Sequence, residues 1–472
     1  MNQMEFQHLM NRAGFGCVLE EAIAGQSKSR EKIIKQLFTE SSEPTELSMV
    51  KRLEVEDIMD DMRQASGDSK KDYRKMLYDI GRTMNGEWLR KMMTDKAQLA
   101  EKMTFFWHGH FACRDDNPAL LQLLNNVIRN NSLGKFKDLL IAVSQSPAML
   151  KFLNNEQNKK NAPNENFARE VMELFTLGRA NYTEKDVKEA ARAFTGWTFE
   201  RITLNFRFNQ NQHDFGEKEF LGKKGNFEGG DIIDMILYKE ECAQFITGKI
   251  YQFFVNEVRD EERIKSLAEK FYANDYDIPT LMYEIFSSDW FYEEKNIAAK
   301  IKSPVELLVN ISRLLSVEYG NEETLVYIQK LLGQTLFMPP NVAGWPVGKR
   351  WIDSTSLIFR MSLGKKIIES AELNERLKAD DDTDPNMLFQ KQQKQKKGKL
   401  NEIDAKINWE VLSKPVNASS DGELFNCLST ALLSTGNVNY SNAGFTIQGE
   451  TKEQKVKSIV AHIMSYPEFQ LC

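Results

Sequence analysis

The sequence predicts a mainly α protein, a multi-helical globular body with a small β-hairpin excursion near residues 197–221. Three observations predict it. Helix-start signatures recur along the chain, apolar residues repeat at helical spacing behind them, and one stretch alternates instead.

Asp95 and Gln98 stand in capping-box spacing ahead of Leu99, Met103 and Phe106, an i, i+4, i+7 stripe that reaches His110 one turn later. Ser146-Pro147 and Ser303-Pro304 each place proline at a first helical position, where its missing N–H costs nothing. Glu306 completes a capping box with Ser303. Thr183 to Asp186 begins another helix with the stripe Val187, Ala190, Ala191 and Phe194, and Gly196 ends it. From Trp197 to Phe208 the pattern changes: Ile202, Leu204, Phe206 and Phe208 alternate, which predicts a hairpin. Two strands cannot form a core, so the hairpin must pack on helices. A glycine-rich loop follows from Gly216 to Gly230, and helical periodicity resumes at Ile232. Leu424, Leu428 and Leu432 mark a late helix, and Val456 to Phe469 closes the chain by packing back onto the body.

Residues 1–377 and 421–472 therefore form the main helical body. Residues 378–420 read as a charged, Gln/Lys-rich insertion or linker, because Asp380–Pro385 is an acidic breaker and Gln390–Lys399 has no periodic apolar face.

The 472 residues carry 62 Lys+Arg against 68 Asp+Glu, a net charge of -6, which argues against a nucleic-acid surface. The five cysteines, Cys17, Cys113, Cys242, Cys427 and Cys472, are scattered without a C-x-x-C pair. Neither a disulfide framework nor a zinc knuckle is expected, and the reading is a reducing compartment. The N-terminus shows no basic region followed by an apolar run, and no apolar run approaches the roughly 20 residues of a membrane span. The expected location is the cytoplasm.

Candidate chemistry begins with the histidines. Neutral imidazole is a common metal ligand, so His108 and His110 are candidate ligands for a divalent metal, with Glu173 as a carboxylate partner. On a helix the two rings point about 200° apart and cannot share one ion. The plainer reading is packed histidines beside Phe105, Phe106, Trp107 and Phe111. Asn166, Glu170 and Glu173 share a helical face, so Glu170 is a candidate acid–base group; the plainer reading is an ion ladder from Glu165 through Arg169 to Glu173, with Arg192 as a further partner. His213 and Asp214 follow the hairpin and form an exposed candidate acid–base pair. Trp345 and Trp351, in a Pro/Gly loop, offer with Arg169 candidate binding groups, for a sugar or a partner chain. No H-E-x-x-H, G-x-S-x-G, G-x-G-x-x-G or phosphate-loop pattern occurs, which disfavours the familiar zinc proteases, serine hydrolases, dinucleotide enzymes and nucleotidases.

Several segments together resemble one family. They are His8–Gly16 (HLMNRAGFG), Phe105–Phe111 (FFWHGHF), Pro163–Gly178 (PNENFAREVMELFTLG), Tyr182–Val187, Ala191–Trp197 (ARAFTGW), His213-Asp214, Lys302–Glu306 (KSPVE), Pro339–Pro346 (PPNVAGWP) and Ser465–Gln470 (SYPEFQ). From about His8 to Gln470, with 378–420 outside any motif, the chain resembles the bacterial domain-of-unknown-function family 1800. That resemblance implies a bacterial source and a genomic companion, an alkaline-phosphatase-like protein. It also implies frequent export, which here would rely on a partner carrying the signal. Three functions are expected in order: a helical interaction partner of that companion, a metal-dependent hydrolase-like enzyme with a His/Glu site, and a polysaccharide-binding protein.

Overall fold

Capping chemistry starts the helices where the sequence predicts them. In the computed structural model, which describes residues 1–24, 28–373, 402–434 and 445–472, Ser303 caps the helix Pro304–Leu314 and the Glu306 carboxylate returns to the Ser303 N–H at 2.8 Å. Thr183 and Asp186 form the same reciprocal box ahead of Glu184–Ala193, whose stripe Val187, Ala190, Ala191 and Phe194 is fully buried. Gly196, at φ +82°, turns the chain out of it, a conformation that disfavours a side chain. The Asp95–Gln98 box does not form. Ala97 precedes the helix Gln98–His110, and the Gln98 amide donates instead to the Asp95 and Met92 carbonyls.

The core is one continuous apolar cluster running from Phe6 to Phe469. The 28-residue helix Gly67–Thr94 is its axis, with Gln98–His110, Pro118–Asn131, Pro304–Leu314 and Glu322–Leu332 packed around it. Within that packing Glu101 accepts a bidentate pair from Arg129 (2.8 and 3.1 Å) and a bond from the Trp88 indole (2.9 Å). All three side chains are buried, so the charges are compensated at the point where water is excluded.

Sheet is minor. Strands β1 (Trp197–Phe199) and β2 (Phe206–Phe208) pair antiparallel as the predicted hairpin. The expected glycine-rich loop holds a second hairpin, β3 (Lys218–Phe220) with β4 (Lys223–Gly225), turned through Leu221 and Gly222, both with positive φ. Its charged, three-residue strands carry almost no alternation that sequence reading can detect. A third pair joins β5 (Glu318–Tyr319) to β6 (Ala405–Lys406).

That last pair corrects a boundary. Of the expected insertion 378–420, residues 378–401 lie outside the described residues. Residues 402–420 are packed on the body: Ile403, Leu412 and Val416 are buried and β6 is paired. The late helices Asp421–Leu432 and Lys452–Ile463 pack together, and the chain end pairs with Ile301 through Leu471. All five cysteines are free. Among the described residues no helix is long and apolar enough to cross a membrane.

Candidate functional site

Every position from Gln98 to His108 on the helix Gln98–His110 is buried, and the predicted histidines stand at its C-terminal end. His108 Nε2 accepts the Phe337 backbone N–H at 3.1 Å, so its proton sits on Nδ1. Trp88 and Trp345 flank its ring at 4.9 and 5.3 Å. His110 faces elsewhere: its Nε2 donates to the Phe175 carbonyl at 3.1 Å. Burial first, then Arg129, hold His108 down at about 3; burial and then Lys249 do the same for His110. Both rings are neutral at pH 7. They face separate neighbours, as helical geometry requires, and the His108 Nε2 lone pair is already used.

The segment facing His110 departs from an ideal helix. Asn166–Glu170 is α-helical, but Val171–Thr176 is a π-turn closed by the Thr176 hydroxyl on the Val171 carbonyl at 2.6 Å. The wider turn breaks the ion ladder expected from Glu165 to Glu173. Arg169 does reach Glu165 (3.2 Å), but its fork closes on Glu184 with two 2.8 Å bonds. Glu173 instead accepts from Arg179 (2.7 Å) and the Tyr182 hydroxyl (3.0 Å). Glu170 makes no hydrogen bond or ion pair among the described residues, and desolvation, reinforced by Glu173, raises its pKa.

His213 and Asp214, expected as an exposed loop pair, lie at a packed corner, with His213 buried and Asp214 half-buried. His213 is buried; its Nδ1 donates to the Thr195 carbonyl at 2.8 Å and Nε2 has no partner beside the rings of Phe208 and Phe215. Asp214 is tied to Arg192 at 2.7 Å, the arginine expected to meet Glu170 or Glu173. Beside this corner opens a cleft of about 220 Å³ lined by Asn158, Lys159, Gly196, Trp197 and Gln212 among others. Gly196 makes the close approach there: a Cβ would stand 2.6 Å from the Asn209 carbonyl and 3.3 Å from His213 Cβ.

The Pro/Gly loop is pinned along its length. Gly344 (φ +81°) lies on the Gly109 carbonyl, which a Cβ would approach to 2.5 Å. Gly348 abuts Glu257, Trp351 is buried, and half-buried Trp345 packs on His108. Trp351 is therefore an anchor and no platform. Met338, Pro340 and Ala343 ahead of the anchors, and Val347 between two of them, are exposed.

The structure thus brings His108 together with Trp345, and places His110 on the turn that carries Glu173. It does not gather His108, His110, Glu170, Glu173 and His213 around one point. Among the described residues no group of three or more His, Cys, Asp or Glu side chains could hold a metal ion. Sequence reading missed two buried charge clusters, Glu101–Arg129 and the one around Glu306. Their signal was present as charges set inside apolar helices, Glu101 and Lys102 beside Met103, and Glu306 beside Leu307.

Fold and site define a class: a mainly helical body with buried ion clusters, a rigid presented loop and short hairpins. Residues 8–471 match the model of the family described as "Protein of unknown function (DUF1800)", nearly the whole chain, and the protein belongs to that family. No curated protein and no solved structure matches it.

Proposed function

We propose that the protein is a helical docking partner, and that its partner is the alkaline-phosphatase-like companion implied by the family resemblance. The observation that carries this reading is the pinned loop Pro339–Trp351. It is held by Gly344, Gly348 and Trp351, so its outward side chains are ordered before any partner arrives, which lowers the entropic cost of binding. Val347 is 64% exposed, and Val258, next to the Glu257 that Gly348 abuts, is 77% exposed. Exposed apolar side chains on a rigid frame favour a protein surface over a soluble sugar. The test is size-exclusion chromatography of the two purified proteins, alone and mixed. Co-elution of wild type, lost in Val347→Asp with an unchanged unfolding midpoint, supports the reading; separate elution of the wild-type proteins refutes it.

The hydrolase-like metal enzyme is the second reading, favoured by one observation, the half-buried Glu170 with its raised pKa beside the π-turn. Against it stand the His108 Nε2 lone pair, already taken by the Phe337 N–H, and the lack, among the described residues, of three or more His, Cys, Asp or Glu side chains that could hold one ion. Elemental mass spectrometry of untagged protein separates the two readings. Near-stoichiometric divalent metal that falls in Glu170→Gln would favour the enzyme.

A further inference from the structure

Three of the sequence segments that carry the family resemblance end in one buried place. Asn11 belongs to the first, Lys302 and Glu306 to the KSPVE segment, and Phe469 and Gln470 to the last. Lys102 Nζ reaches the Asn11 carbonyl (3.3 Å) and Glu306 (2.6 Å), and Lys300 reaches the same carboxylate oxygen at 3.2 Å. Lys302 Nζ donates to Asn310 (2.8 Å) and the Phe469 carbonyl (2.9 Å), and Arg360 Nη2 donates to the Lys302 carbonyl at 2.6 Å.

The charges do not balance. Lys102, Lys300, Lys302 and Arg360 are 2, 8, 4 and 1% exposed, and the carboxylate among them is Glu306, 3% exposed. Cys472, close enough to favour the charged forms of Lys102, Lys302 and Arg360, adds negative charge through its acidic groups, a thiol and a carboxylate. Four cations thus face at most three anions where water is largely excluded, and uncompensated buried charge is strongly unfavourable. The hydrogen bonds are incomplete as well. Arg360 Nε and Nη1 and both amide atoms of Gln470 are buried without a partner. With Nη2 bonded to the Lys302 carbonyl, the Arg360 Nε–H and Nη1 N–H groups, on different edges of the guanidinium, remain to donate to the oxygens of an oxyanion. Lys300, next to Ala299 on the wall of an open cleft of about 710 Å³, is the member nearest solvent.

We propose that this cluster is a binding site for a small tetrahedral oxyanion, phosphate or sulfate, held by Arg360 and the lysines around Glu306. The anion supplies the missing negative charge and accepts the unused Arg360 N–H groups. Glu257, which accepts the Ile301 N–H at 3.1 Å and abuts Gly348, links this cluster to the edge of the Pro339–Trp351 loop, but the docking proposal neither requires nor excludes the anion.

The test is thermal unfolding of the full chain, dialysed free of oxyanions, in inorganic phosphate, in sulfate and in chloride at matched ionic strength. Anion release on denaturation is read by ion chromatography of the protein as purified. A ligand that binds only the folded state raises the midpoint with concentration. Phosphate or sulfate is expected to raise it by at least about 2 °C over chloride, and Arg360→Gln and Lys300→Gln are expected to abolish that rise. If Arg360→Gln does not fold, Lys300→Gln, at the more accessible edge, decides alone. Equal midpoints in all three salts with no anion released, or a rise that survives in the variants, overturns the proposal.

Discussion

Glu170 and Glu173 stand three residues apart, and their surroundings drive their protons in opposite directions. Desolvation, then Glu173, raises the Glu170 pKa above its ordinary 4.5. The folded state therefore holds that proton more tightly than the unfolded state, and stability falls as pH rises from about 4.5 through the folded value. Glu170→Gln is expected to unfold at a higher temperature than wild type at pH 7, an advantage that disappears below pH 4.5. Glu173 behaves in the reverse sense: the Arg179 bond, aided by Tyr182, holds its pKa below 4.5, so its contribution is present above 4.5 and lost as pH falls through the folded value. Glu173→Gln is expected to be destabilised at pH 7 and to converge on wild type in acid, both series being readable by calorimetry. At this scale the sequence was a partial guide. The Glu165–Arg169 step was legible because i, i+4 partners are fixed by helix geometry. The Arg179 and Glu184 partners were not, because the π-turn and a neighbouring helix supply them. His213 looked exposed in a loop, yet Thr195, Phe208 and Phe215 enclose it, and nothing local announces that enclosure.

The helix Gln98–His110 carries both structural histidines and half of the Glu101–Arg129 pair. His108 and His110, neutral down to about pH 3 in the folded state, take up protons on unfolding below their ordinary 6.5. Each is expected to cost about 1.4 kcal/mol of stability per pH unit between those values, an acid slope that His108→Gln should roughly halve in urea titrations. Arg129→Met leaves the Glu101 carboxylate buried without its bidentate partner, and is expected to cost about 3–5 kcal/mol in the same assay. Gly344→Ala forces a side chain into a left-handed residue against the Gly109 carbonyl, with a loss of about 1–3 kcal/mol and a displaced loop. Helix starts were legible because a cap is a contact within one turn, as at Ser303 and Thr183. The β3–β4 hairpin was not, because Phe220 is the one apolar side chain in its two strands.

Across the whole molecule, distant segments meet in pairs that spacing cannot reveal. The first segment meets Lys102, the KSPVE segment meets the last, and the Pro/Gly loop rests on the helix that carries His108. The mainly α class was legible from periodicity alone. The packed residues 402–420 were hidden because Ile403, Leu412 and Val416 are isolated apolar positions beside a polar run. The same long-range packing produces the presented loop: a face built by Gly109, Glu257 and the core, displaying Val347 and Met338. Titrating the purified alkaline-phosphatase-like companion into wild type and Val347→Asp by calorimetry tests the docking role most directly. Saturable binding, weakened at least about tenfold by the substitution while the fold is kept, is the predicted result. No heat of binding to wild type, or equal affinity for both proteins, would contradict it.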